Sequence, residues 1–120
     1  MEQNTRAFVE EETKKLIAAP SVCDEAKEAA EKWLSAAGTA AEAEETKRYI
    51  KELEEDIIPI DGLISFAESP EGAAVFGGAE GAKEAAAHGR AIKAKGAKYC
   101  DCPACSACEA ILSRKAEILA

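Results

Sequence analysis

Cys100, Cys102, Cys105 and Cys108 fall within nine consecutive residues, Cys100-Asp-Cys-Pro-Ala-Cys105-Ser-Ala-Cys108. A fifth cysteine, Cys23, stands alone near the other end of the chain. Thiols crowded this closely seldom serve packing alone; a soft metal ion or a metal–sulfur cluster is the usual reason to gather them. Ligation requires thiolate, and helix N-termini favour thiolate through unpaired N–H groups and the positive end of the dipole. The sequence puts Cys102 at the cap of a last helix that starts at Pro103, with Cys105 in its first turn. It puts Cys23 in the first turn of a helix capped by Ser21. Two helix starts could therefore converge on one sulfur site. The ligand set expected on this geometry is Cys23, Cys100, Cys102 and Cys105, holding either tetrahedral zinc or an iron–sulfur cluster. A ferredoxin-like reading would use Cys102, Cys105 and Cys108 with Cys23 or Cys100 as the remote ligand. It lacks the fourth cysteine followed by proline that completes that pattern. Cys108 lies on the apolar face of the last helix, where a core thiol and a ligand are both consistent with its position.

The elements that must position these residues are helices. The first is expected over about residues 5–19, ending at Pro20. A second runs from Ser21 to Gly38, with Val22, Ala26, Ala29, Ala30, Trp33, Leu34 and Ala37 on one stripe. Thr39-Ala-Ala-Glu42 forms a capping box that opens a third helix, in which Ile50, Leu53 and Ile57 recur at helical spacing. Pro59 ends it. Short helices follow at residues 60–68 and from Ser69-Pro70. Gly77-Gly-Ala-Glu-Gly81 reads as a flexible joint before an alanine-rich helix over residues 82–95. In the final helix Cys108, Ile111, Leu112, Ile118 and Leu119 share one face. No segment alternates with period two, and no repeat of solenoid length is present. The expected architecture is a single all-α domain spanning residues 1–120: four longer helices, one or two short ones, and a Cys-rich metal-binding loop (100–108) before the last helix.

Composition narrows the function. The chain has 120 residues, is 48% hydrophobic and 32% charged, and carries a net charge of −8. That charge repels phosphate backbones and anionic lipid headgroups, so neither nucleic acid nor membrane is an expected partner. No apolar run reaches the roughly 18 residues of a membrane span. Met1-Glu-Gln-Asn-Thr-Arg6 lacks the apolar core of a secretory signal, so a cytoplasmic location is expected. Thiols stay reduced there, and five cysteines are not read as a disulfide framework.

Other constellations are weaker. His88, the single histidine, follows Glu84 by four residues, a spacing more often seen in surface contacts than at a metal. One histidine cannot supply a di-iron bundle. Residues 52–56 read as a solvated acidic face, without the spacing of a calcium loop. Gly77-Gly78 meets neither the Walker nor the dinucleotide pattern. No catalytic triad is discernible, and no enzyme activity is expected.

Three stretches carry a resemblance: Ala19-Pro-Ser-Val-Cys23; Glu54-Glu-Asp-Ile-Ile-Pro-Ile-Asp-Gly-Leu-Ile64 with Phe66-Ala-Glu-Ser69; and Lys98-Tyr-Cys-Asp-Cys-Pro-Ala-Cys105. They resemble a group of small acidic proteins of unknown function from anaerobic bacteria, often catalogued as heat-shock chaperones of the ninety-kilodalton class. The chain has neither the length nor the nucleotide-binding motifs of that ATPase. The resemblance implies Cys23, Cys100, Cys102 and Cys105 as the shared cysteines, with Cys108 outside them. An anaerobic setting would suit an oxygen-sensitive cluster. The group carries over no biochemical role, and the cysteines themselves leave three open: a zinc module acting through a protein partner, an iron–sulfur electron carrier or redox sensor, and a thiol-based carrier of a metal such as copper(I). A reversible dithiol switch is a further alternative.

Overall fold

A computed structural model describes all residues, 1–120. The chain is all-α, as expected, with helices α1 (Gln3–Ala18), α2 (Asp24–Ala36), α3 (Glu42–Asp56), α4 (Ile60–Ala67), α5 (Pro70–Val75), α6 (Ala79–Ala94), α7 (Pro103–Leu112) and α8 (Lys115–Leu119). The helices fall into two units. One comprises residues 1–57 and 101–120, the other residues 58–100.

In the discontinuous unit α2 packs on α3 and α1 on α7, with further α1–α2 and α3–α7 contacts. Val9, Leu16, Trp33, Tyr49, Ile50, Leu53 and Ile111 are fully buried there. The Trp33 and Tyr49 rings stack at 5.8 Å. Burying their polar atoms is tolerable because each has a partner. The Trp33 indole N–H donates to Thr46 Oγ1 at 2.9 Å, and Thr46 donates to the Glu42 carbonyl at 2.7 Å. Thr13 and Tyr49 hydroxyls share a bond of 2.8 Å. Arg6 grips the Glu42 carboxylate with two donors, at 2.6 and 3.0 Å. Gly38 N–H donates to the same carboxylate at 3.0 Å. Glu42 is thus the first residue of α3 and joins its start to α1 and the α2 end. Gly38 has φ 79°, the left-handed stop expected after α2.

In the contiguous unit α4 packs on α6, and α5 on both. Ala82, Ala86 and Gly89 form the buried stripe of α6. A Cβ at Gly89 would lie 2.8 Å from Ile64 Cγ1, so the absence of a side chain sets how closely the two helices approach. Ser69 caps α5, accepting from Gly72 N–H at 3.2 Å. An isolated antiparallel bridge pairs Pro59 with Tyr99.

Four boundaries differ from expectation. The Thr39–Glu42 capping box does not form: Ala41 is the cap residue of α3, Thr39 Oγ1 accepts from Ala41 N–H, and the Glu42 carboxylate turns back to Gly38 and Arg6. The final helix is two, α7 and α8, parted at Ser113-Arg114, and Leu119 is exposed rather than on the apolar face. The glycine joint is shorter, because Gly78 is already the cap residue of α6 and Gly81 lies inside the helix. Ser21 does not cap α2; Cys23 holds that position.

Candidate metal centre

The site is built from one short stretch, residues 100–105. Cys100 closes the β-bridge: its N–H donates to the Ile58 carbonyl at 2.8 Å, while Ile60 N–H donates to the Lys98 carbonyl at 2.9 Å. This fixes Cys100 beside the start of α4. Two residues on, Cys102 is the cap residue of α7, with Pro103 at the first helical position as expected. Its sulfur accepts the Cys105 N–H at 3.4 Å, taking the place of the usual cap oxygen on a first-turn N–H. Ser106 braces the turn, its N–H on the Cys102 carbonyl at 2.8 Å and its hydroxyl on the Asp101 carbonyl at 3.1 Å. The result brings the Cys100, Cys102 and Cys105 sulfurs within 4.8 Å of one another. Cys100 and Cys105 are buried and Cys102 is half-buried. No disulfide links any of the five cysteines.

Cys23 lies outside this group of three. It is the cap residue of α2 and is exposed. Its segment is nonetheless tied to the start of α7, because Ala104 N–H donates to Ser21 Oγ at 3.3 Å. Ser21 therefore satisfies a first-turn donor of the cysteine helix, not of its own. The expected thiolate preference of Cys23 is reversed in balance. Although the residue is exposed, the atoms around its sulfur displace part of its water and push the thiol up; Ala26 N–H pulls it down, and the carboxylates of Asp56 and Glu25 push it up further. The helix-start effect is present but outweighed.

Cys108 is buried on α7, 3% exposed. Burial first, then the charges of Asp56, Cys23 and Cys102, push its thiol up to about 12. Asp56 is the residue that sequence reasoning missed. It ends α3, where the helix dipole disfavours a carboxylate, and one of its oxygens is buried without a hydrogen-bond donor. Its carboxylate also raises the neighbouring Glu52. The acidic run is thus not wholly a solvated face. The only hint in the sequence was position: Asp56 precedes Ile57 and follows Leu53 by three, at the edge of the buried stripe. His88 is exposed on α6 and takes no part in the cysteine group.

The residues fit a cation. Three convergent sulfurs supply most of a tetrahedral shell, and the orphaned Asp56 oxygen marks a local surplus of negative charge around Cys23 and Cys108. What the fold and the site define together is an all-α protein with a three-cysteine group able to hold a metal ion. Compared with family models, with curated proteins and with solved structures, the chain matches none. No helix is long and apolar enough to cross a membrane.

Proposed function

We propose that this chain is a small non-enzymatic metal-binding protein whose site takes one soft ion, zinc foremost, through Cys100, Cys102 and Cys105, with Cys23 as fourth ligand. The observation that carries the reading is the mutual approach of the three sulfurs within 4.8 Å. Two thiolates on one tetrahedral zinc lie about 3.8 Å apart, given Zn–S bonds of about 2.3 Å. Modest side-chain rotation closes that difference. In a four-iron cluster each cysteine binds its own iron and is directed outward, which spreads the sulfurs further. The spacing thus favours a single ion over a four-iron cluster. Cys23 is nominated because the Ser21–Ala104 hydrogen bond seats its segment on the first turn of α7. Zinc bound this way supplies no redox chemistry; it cross-links chain segments and so contributes to folding. The cellular role would then be a protein-binding module. A second reading, a carrier that passes on copper(I), draws support from the exposure of Cys23 and the half-burial of Cys102, which leave the ion reachable.

The test is metal analysis with a visible spectrum on protein purified without oxygen. Colourless protein with one zinc per chain is expected, and Cys100→Ala should lose the metal. Iron with sulfide would replace this reading by a cluster, and full metal content in Cys100→Ala would reject the ligand set.

A further inference from the structure

The same short stretch carries a second chemistry that does not depend on a metal. Cys102 and Cys105 are unequal. Cys102 is half-buried, stands at the start of a ten-residue helix and accepts an N–H on sulfur. Cys105, three residues on, is 5% exposed with its sulfur within 4.8 Å of the first. Of the two, the half-buried thiol is the one that a disulfide from outside can reach, and its sulfur already accepts an N–H. A buried thiol within reach is the one able to finish the reaction. The partner has a definite chemical class, because thiolates exchange with disulfides. Cys102 is half-buried at the start of its braced turn, so a small disulfide reaches its sulfur more readily than one held within a folded protein.

We propose that Cys102 and Cys105, free of metal, form a reversible dithiol centre that reduces small-molecule disulfides, Cys102 attacking and Cys105 resolving. In the first step the Cys102 thiolate attacks one sulfur of the small disulfide. A protein–small-molecule mixed disulfide forms, and the other half departs as thiolate. In the second step Cys105 attacks Cys102 Sγ in the mixed disulfide, forming the intramolecular bond and expelling the second small thiolate. The protein dithiol loses two electrons, the small disulfide gains them, and the two protons of the cysteines end on the two released thiols. Closing the bond brings the sulfurs from within 4.8 Å to about 2.05 Å by side-chain rotation. Cys100 is also within reach, but its backbone is pinned by the bond to Ile58.

The experiment uses the full chain, reduced and stripped of metal, mixed with glutathione disulfide. Products are mapped by thiol blocking and peptide mass spectrometry. The wild type should yield a Cys102–Cys105 disulfide and two glutathione thiols per chain. Cys105→Ser should accumulate one glutathione on Cys102, and Cys102→Ser should react at least tenfold more slowly. Circular dichroism of each variant confirms that the helices persist, and Cys105→Ala replaces Cys105→Ser if that variant unfolds. An adduct placed first on Cys23, a bond from Cys102 to Cys100, or an undiminished rate in Cys102→Ser would overturn the assignment. Zinc added to the reduced chain should block the exchange. If exchange proceeds unaltered by zinc, the metal reading fails while the dithiol stands.

Discussion

Cys108 offers a sharp test of whether the last cysteine is a core thiol or a ligand. Its thiol is raised from an ordinary value of 9.0 to about 12, chiefly by burial. A group whose folded value is raised contributes stability that is complete below the unfolded value and lost as pH rises toward the folded one. The window is therefore pH 9 to 12, and the full loss is on the order of 4 kcal/mol at 1.36 kcal/mol per unit. At pH 7.5 almost none of it is lost; at pH 10.5 about 2 kcal/mol is gone. Cys108→Ala removes the titration at the expense of one small buried sulfur, about 1 kcal/mol at neutral pH. The two effects oppose each other. The wild type should be the more stable at pH 7.5 and the variant the more stable at pH 10.5, with the order reversing near pH 10. Urea unfolding of both proteins, followed by circular dichroism with chelator and reductant present, measures this directly. Groups remote from Cys108 are common to both and cancel in the difference; Tyr49 feels the Cys108 charge but is held far up chiefly by its own burial. A difference that stays constant across the pH range would refute the reasoning. It would mean that the Cys108 surroundings admit water or rearrange when the thiol ionises. The same energetics bear on the metal, because recruiting Cys108 as a ligand would require overcoming its burial. Cys108→Ala should accordingly retain full metal content.

Glu42 provides the opposite sign. Its carboxyl is lowered, first by the hydrogen bond from Arg6. Its contribution is present above the ordinary carboxylate value of 4.5 and is lost as pH falls through the lowered one. Glu42→Gln should cost about 1 kcal/mol at pH 7 and flatten the acid limb of the melting profile; an unchanged acid limb would contradict the role given to Arg6. Asp56 raises the Cys23 thiol through its charge and a hydrogen bond, so Asp56→Asn should speed alkylation of Cys23 in the metal-free protein at pH 8, and an unchanged rate would show that the surroundings alone hold that thiol up. Gly72→Ala would drive a Cβ into the Phe66 carbonyl and the Ala67 backbone, which no side-chain rotation relieves. It should destabilise by more than about 2 kcal/mol, measured by thermal unfolding, whereas a neutral result would mean that α5 can lift away from α4.

Local signals carried most of the fold. Pro20, Pro59 and Pro70 punctuated the helices as expected, Gly38 and Gly96 adopt positive φ after α2 and α6, and Trp33, Ile50 and Leu53 fall on the buried stripes. Cys102 caps α7 with Pro103 behind it, so the core of the candidate site was legible from spacing and cap chemistry alone. What escaped was non-local. Ser21 has the local sequence of a cap for the helix that follows it, yet its hydroxyl serves Ala104, a residue 83 positions away. The Cys23 thiol answers to burial and to Asp56 rather than to its helix start, and no periodicity reveals that balance. Asp56 looked like one more solvated carboxylate because its burial is created by packing at the α3 end. The parting of α7 from α8 at Ser113-Arg114 carries neither glycine nor proline. There the Arg114 guanidinium lies 4.4 Å over the Phe8 ring, a contact invisible in sequence.

The discontinuity of the unit made from residues 1–57 and 101–120 has a consequence for how the chain is born. Residues 58–100 form a contiguous unit, and all three of its helices are made before α7. The other unit cannot close until α7 has been made. Until then the faces of α1 and α3 that receive α7 stay uncovered, a long-range closure of the slow, aggregation-exposed kind. The helix that closes this gap is the one that begins with Cys102. Assembly of the sulfur group and completion of the discontinuous core are therefore late events of the same moment in synthesis. A metal ion or an oxidant present at that moment would meet a nascent chain in which this core and the sulfur group close together.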